Sequence, residues 1–137
     1  MSTTHPMIVQ VVLDTTDVRG LAEFYRELFG LAYRDGDEPP GDAQADDSDW
    51  LVLRNPGGIQ LAFQQVEALR SSTWPTAEVP QQLHLDTSVP DVGALDDQTD
   101  RALALGALLL LDESDDETEP LRVFADPSGH PFCIFVA

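Results

Sequence analysis

The sequence predicts an α+β fold: two tandem βαβββ modules forming a curved, partly open eight-stranded barrel around a cavity. Three observations carry that expectation. The chain repeats itself, with LDTTDV from Leu13 to Val18, a helix-like stretch ending at Phe29-Gly30 and LVLRNPGG from Leu51 to Gly58. These return as LDTSVPDV from Leu85 to Val92, a stretch ending at Leu105-Gly106 and VFADPSGH from Val123 to His130. A period of roughly 70 residues is too long for a solenoid unit and suits two similar supersecondary units packed as one domain. Within each half the apolar spacing changes from strand-like to helix-like and back. Each half also closes on two strand-like runs around a Pro/Gly turn.

One domain is therefore expected over 1–137, with module one at about 7–64, a linker at about 65–80 and module two at about 81–137. Ile8 to Asp14 is a β-branched run suited to a buried strand. Asp17 can cap a helix whose Leu21, Phe24, Tyr25, Leu28 and Phe29 share a face, and Gly30 can end it in a left-handed conformation. Leu31 to Arg34 starts a strand, an acidic Pro/Gly-rich loop follows, and Trp50 to Arg54 and Ile59 to Gln64 flank a turn at Asn55-Pro56-Gly57-Gly58. Ser71-Ser72, Pro75 and Pro80 mark the linker. Module two repeats the order. Gln82 to Thr87 is a strand, Asp91 to Leu105 a helix with Val92, Leu95, Thr99, Ala102 and Leu103 inward, and Ala107 to Leu111 a strand. Leu121 to Ala125 and Phe132 to Val136 then flank the turn Asp126-Pro127-Ser128-Gly129. Two such modules joined edge to edge leave a concave face suited to a small molecule.

Composition narrows the function. The 137 residues are 42% hydrophobic, enough for a sizeable core, and no apolar run is long enough to span a membrane. The N-terminal stretch has no basic segment followed by an apolar one, so no secretory signal is expected. The lone Cys133 precludes an internal disulfide and suits a reducing cytoplasm. A net charge of −18 argues against nucleic acid and anionic membrane as partners and would attract a cationic ligand. About half of the 25 acidic residues fall in two stretches, Asp35 to Asp49 and Asp112 to Glu119, at matching places in the two halves. Solvated loops are the simplest reading of them. No Ser-His-Asp arrangement, P-loop or GxGxxG fingerprint is visible.

The element order, Phe24-Tyr25 followed by Leu28-Phe29-Gly30-Leu31, the stretch PQQLHLDTSVPDV from Pro80 and DPSGHPFC from Asp126 to Cys133 together resemble the vicinal oxygen chelate superfamily. More narrowly they resemble its glyoxalase-like, bleomycin-resistance-type branch. The resemblance implies that metal-dependent members carry His, Glu or Gln on the first and last strands of both modules, facing the cavity. Gln10, seven residues before Asp17, and His84, seven before Asp91, fill the two first-strand positions. Cys133 stands where module two would carry a glutamate, and module one offers either Gln60 or Ala62. One imidazole, one or two amides and a thiol make a poor divalent site, so His84 with Gln10 is a partial remnant and no cofactor is expected.

His84 and Asp86, two apart on a strand, share a face and can pair for hydrogen bonding or proton transfer. Cys133 reads as a buried small hydrophobe rather than a nucleophile. Trp50, Trp74, Phe24 and Tyr25 are candidates for aromatic pocket surface or for core. His130 and His5 receive no role. The expected ligand pocket is thus His84, Asp86, Gln10, Gln60, Trp50 and Cys133. The favoured function is metal-free binding of a cationic or aromatic small molecule; the alternative is a metal-dependent lyase or isomerase of the glyoxalase kind. The resemblance further implies a homodimer.

Overall fold

The computed structural model describes residues 4–137, so the first three residues of the expected domain, and of the stretch read for a secretory signal, lie outside it. Module one runs β1 (Gln10–Thr15), α1 (Val18–Phe29), β2 (Ala32–Tyr33), β3 (Trp50–Arg54) and β4 (Gln60–Gln65). Module two runs β5 (Leu85–Val89), α2 (Val92–Ala104), β6 (Leu108–Glu113), β7 (Leu121–Ala125) and β8 (Pro131–Val136). Each module forms one sheet, ordered β1-β4-β3-β2 and β5-β8-β7-β6, with the first strand parallel to the last and the other neighbours antiparallel. Among the described residues no strand of one sheet pairs with a strand of the other, which leaves the barrel open. No described helix is long and apolar enough to cross a membrane.

Local chemistry sets the helix ends. The Asp17 carboxylate accepts from the Gly20 amide at 3.0 Å, and Asp91 accepts from Ala94 at 2.7 Å, so each helix opens on a side-chain cap. Gly30 ends α1 at φ 66°, a left-handed conformation that costs a residue without Cβ little. In α1 the buried residues are Val18, Leu21, Ala22, Phe24, Tyr25 and Leu28. In α2 only a narrow stripe of Leu95, Thr99 and Ala102 is buried. Val92 and Leu103, expected inward, are 42% and 43% exposed because both sit on one flank of that stripe.

Two strands begin later than their apolar runs suggest. β1 starts at Gln10 rather than Ile8, since its only neighbour, β4, begins at Gln60 and the last bond before it is Gln60 N–H to the Val9 carbonyl. Met7, Ile8 and Val9 are accordingly exposed. β5 starts at Leu85 rather than Gln82, because β8 begins at Pro131 and first registers Phe132 against Leu85.

The helix-covered faces of both sheets share one core, where Tyr25 and Phe24 of α1 pack edge-on against Phe132 of β8 and Tyr25 stacks on Phe63 of β4. The β7–β8 turn ties the modules together. Buried Tyr25 donates its hydroxyl to Asp126 Oδ2 at 2.6 Å, while Asp126 Oδ1 accepts from the amides of Ser128 and His130. The Thr15 and Ser128 hydroxyls meet at 2.7 Å, and Ser71 Oγ donates to the Ser128 carbonyl at 3.1 Å. His130, given no role from sequence, places Nε2 2.6 Å from the Asp14 carbonyl and belongs to this junction.

Candidate functional site

Strand alternation decides which side chains face away from the helices. In β8, Phe132 and Ile134 enter the core, so Cys133 and Phe135 point to the other face. Register sets Cys133 between Asp86 of β5 and Val123 of β7, with Leu111 of β6 beyond. A second row runs from Phe135 through Leu121 to Glu113. These two rows floor a groove of about 290 Å³, walled by Trp74 and Gln81 from the linker, by His84 and by Glu119 from the β6–β7 loop. The floor is apolar; Asp86, Glu113 and Glu119 give the rim its negative charge.

Trp74 is held there by a small closed loop. Thr73 N–H donates to the Val79 carbonyl at 2.8 Å, Val79 N–H returns to Thr73 Oγ1 at 2.9 Å, and Trp74 N–H donates to Ser72 Oγ at 3.1 Å. His84 Nε2 lies 3.3 Å from Asp86 Oδ1, with both side chains well exposed, a contact that becomes an ion pair when the imidazole is protonated. Cys133 is 8% exposed, and burial, reinforced by the charges of Asp86 and Glu119, pushes its thiol up to about 11. At neutral pH the free side chain is therefore a thiol and a poor nucleophile.

His84, Asp86 and Cys133 thus come together. Gln10, Gln60 and Trp50 lie on the helix-free face of the first sheet and line none of this groove: Gln10 pairs with Gln60 at one end of β4, and Trp50 pairs with Gln64 at the other. Phe24 and Tyr25 are core. The register also resolves the module-one position matching Cys133. Cys133 lies opposite Asp86 and Ala62 lies opposite Val12, two residues beyond His84 and Gln10 respectively, so the counterpart is Ala62. The four positions that would hold a metal in a metal-dependent relative are then Gln10, Ala62, His84 and Cys133. Ala62 has no donor atom and Gln10 offers only a weak amide oxygen, which leaves His84 and Cys133 as the two strong donors where a divalent ion wants three or four, so these residues do not fit one. Among the described residues no three of His, Cys, Asp and Glu come together as a metal-holding group.

The acidic loops are anchored rather than merely solvated. Arg122 of β7, mostly buried, donates to Asp96 Oδ1 at 2.8 Å and Thr99 Oγ1 at 3.0 Å on α2. It also donates to Ser114 Oγ at 3.1 Å and faces Asp112 at 3.2 Å in the β6–β7 loop. In module one Arg19 of α1 donates to Asp46 at 2.6 Å and to the Asp37 carbonyl at 2.7 Å, with its guanidinium 5.0 Å from the centre of the Tyr33 ring. Sequence reasoning missed Leu111, Glu113, Glu119, Leu121, Val123 and Phe135. Period-two counting from Cys133, Val123 and Leu111 would have found Phe135, Leu121 and Glu113; Glu119, in the β6–β7 loop, had no sequence signal.

The glyoxalase-like domain family model matches residues 10–135, nearly the whole chain. The chain belongs to the glyoxalase-like family. Solved structures agree with that family's fold. A glyoxalase/bleomycin resistance protein/dioxygenase family enzyme from Burkholderia phytofirmans PsJN is 19% identical with a TM-score of 0.70, covering 94% of this chain and 97% of its own. A glyoxalase-related enzyme from Fulvimarina pelagi is 21% identical with a TM-score of 0.68, over 96% and 88%. The fosfomycin resistance protein FosX from Mesorhizobium loti is 13% identical with a TM-score of 0.67, over 98% and 94%. No curated protein sequence matches the chain. At these identities the solved glyoxalase-like structures share the fold, within the vicinal oxygen chelate superfamily, and the groove must speak for the chemistry.

Proposed function

We propose that this glyoxalase-like chain binds a cationic, partly aromatic small molecule in the groove of the second sheet without a metal ion. One observation carries the reading: an apolar floor of Leu111, Leu121, Val123, Cys133 and Phe135 lies beneath three carboxylates, with the Trp74 indole as a wall. A hydrophobic cation entering it exchanges water for apolar contact and an aromatic face, while the rim carboxylates offset the desolvation of its charge. Metal independence is supported by the weak donor set at Gln10, Ala62, His84 and Cys133. The Mesorhizobium loti protein is named for fosfomycin resistance, and sequestration of a toxic small molecule by this chain is a role of the same broad kind.

Equilibrium dialysis with ethidium and with cationic aromatic antibiotics tests the reading. Binding should survive EDTA, weaken as the Debye length falls from about 30 Å at 0.01 M to about 8 Å at 0.15 M salt, and drop about tenfold in Asp86→Asn/Glu119→Gln. Catalytic turnover that appears only with added divalent metal and vanishes in His84→Ala would replace it with the lyase or isomerase reading.

A further inference from the structure

The linker that carries Trp74 separates the groove from a second space. Gln81 lines both. Beyond it lies a chamber of about 350 Å³ whose polar lining includes Asp14, Arg70, Ser72, Gln82 and His130. Six of the seven arginines are engaged: Arg19 with Asp46, Arg26 with Glu23, Arg34 with Asp37, Arg54 with Asp35, Arg122 with Asp96, and Arg101 with the carbonyls of Glu27 and Leu28. Arg70 alone, among the described residues, makes no hydrogen bond or ion pair, although Asp14 lines the same chamber. Arg70 is exposed, so in a chain with 25 acidic residues and seven basic ones its guanidinium is the cation at this opening left free to meet an anion from solvent.

We propose that the ligand is zwitterionic, with its aromatic ammonium end in the acid-rimmed groove and a carboxylate on Arg70 in the adjoining chamber; this rests on the cation-binding reading above. The arrangement places a negative and a positive pole on either side of Gln81. A free anion is repelled by a protein of net charge −18, but a zwitterion carries no net charge and feels only the local poles. Arg70 offers a planar fork of donors matched to a carboxylate. Asp14 is the opposing charge there and limits how tightly the carboxylate is held.

The test uses a matched pair of peptides, phenylalanyl-glycyl-glycine and its C-terminal amide, titrated calorimetrically at about 0.15 M salt, where the long-range attraction of the amide's net positive charge is screened. The two differ only in the carboxylate. The free acid should bind about tenfold tighter than the amide, as expected of one charge-assisted bond. Arg70→Gln should abolish that advantage while leaving the amide's affinity unchanged, and Asp14→Asn should enlarge it. Arg70 makes no bonds within the fold, so its variant should melt with the parent. Equal binding of acid and amide, or an advantage that survives Arg70→Gln, overturns the two-pole site while leaving the cation groove standing. Failure of both peptides to bind overturns the two together.

Discussion

Tyr25 and Asp126 are buried partners 101 residues apart, and their hydrogen bond joins the two modules inside the core. Burial raises the Asp126 carboxyl above its ordinary value, opposed by the Tyr25 hydroxyl and by the backbone amides of His130 and Ser128. An unfolded aspartate titrates near ~3.9, so as pH rises from there through the folded value the native carboxyl ionises late and this group's contribution to stability falls. Tyr25→Phe removes a donor that favours the ionised form and moves the folded value further up. Its cost in urea denaturation should therefore be about 2 kcal/mol at pH 7 and smaller at pH 4. Equal costs at both would mean that the carboxyl is protonated throughout. Two glycines separate backbone strain from crowding. Both have positive φ, but a Cβ on Gly30 meets nothing within 4 Å, whereas one on Gly129 would sit 2.4 Å from Ser71 Cβ. Gly30→Ala should cost about 1 kcal/mol and Gly129→Ala at least about 1 kcal/mol more, with Ser71→Gly restoring part of the difference in thermal melts.

At the scale of elements, the acidic loops behave as anchored arms. The hydrogen bond from Arg19 leads the causes that hold the Asp46 carboxyl at about 2. A depressed folded value means that the interaction is complete above the ordinary aspartate range and is lost as pH falls through about 2. Carboxyl NMR titration should place Asp46 near that value, and Arg19→Gln should return it toward ~3.9. A titration unchanged by the substitution would detach the loop from α1. The elements themselves were legible because each rests on local rules: Asp17 and Asp91 are caps, Gly30 is a left-handed stop, and the turn glycines fall between apolar runs. Their exact limits were not. Where β1 and β5 start depends on where β4 and β8 begin, a pairing fact absent from the β-branched runs themselves. The groove was half legible for the same reason. His84, Asp86 and Cys133 followed from strand positions, but Gln10, Gln60 and Trp50 share only a sheet face with each other. Glu113 ends β6 and faces the groove by strand register, whereas Glu119 reaches it through a loop that Arg122 anchors at Asp112 and Ser114.

For the molecule as a whole, the net charge of −18 opposes compactness. All seven basic residues are arginine, against 25 acids, and like charges crowd a compact surface more than an expanded chain. Raising NaCl from about 0.01 M to 0.5 M shortens the screening length several-fold and should raise Tm progressively. A Tm that stays flat or falls would show that the anchored pairs outweigh the net repulsion.

The strand order has a consequence for synthesis. In each sheet the last strand made lies between the first and the third: β4 between β1 and β3, β8 between β5 and β7. A nascent chain that has emerged only as far as β3 or β7 holds strands with a gap where the central member belongs. The half containing β1 to β4 can close its sheet once Gln65 is free, but its Tyr25 hydroxyl and Thr15 hydroxyl wait for Asp126 and Ser128. The second sheet cannot close at all until Val136 has left the ribosome. Each sheet therefore closes on its keystone strand, and a ribosome stalled anywhere between Asp91 and Pro131 presents an unfinished edge for chaperones to shield.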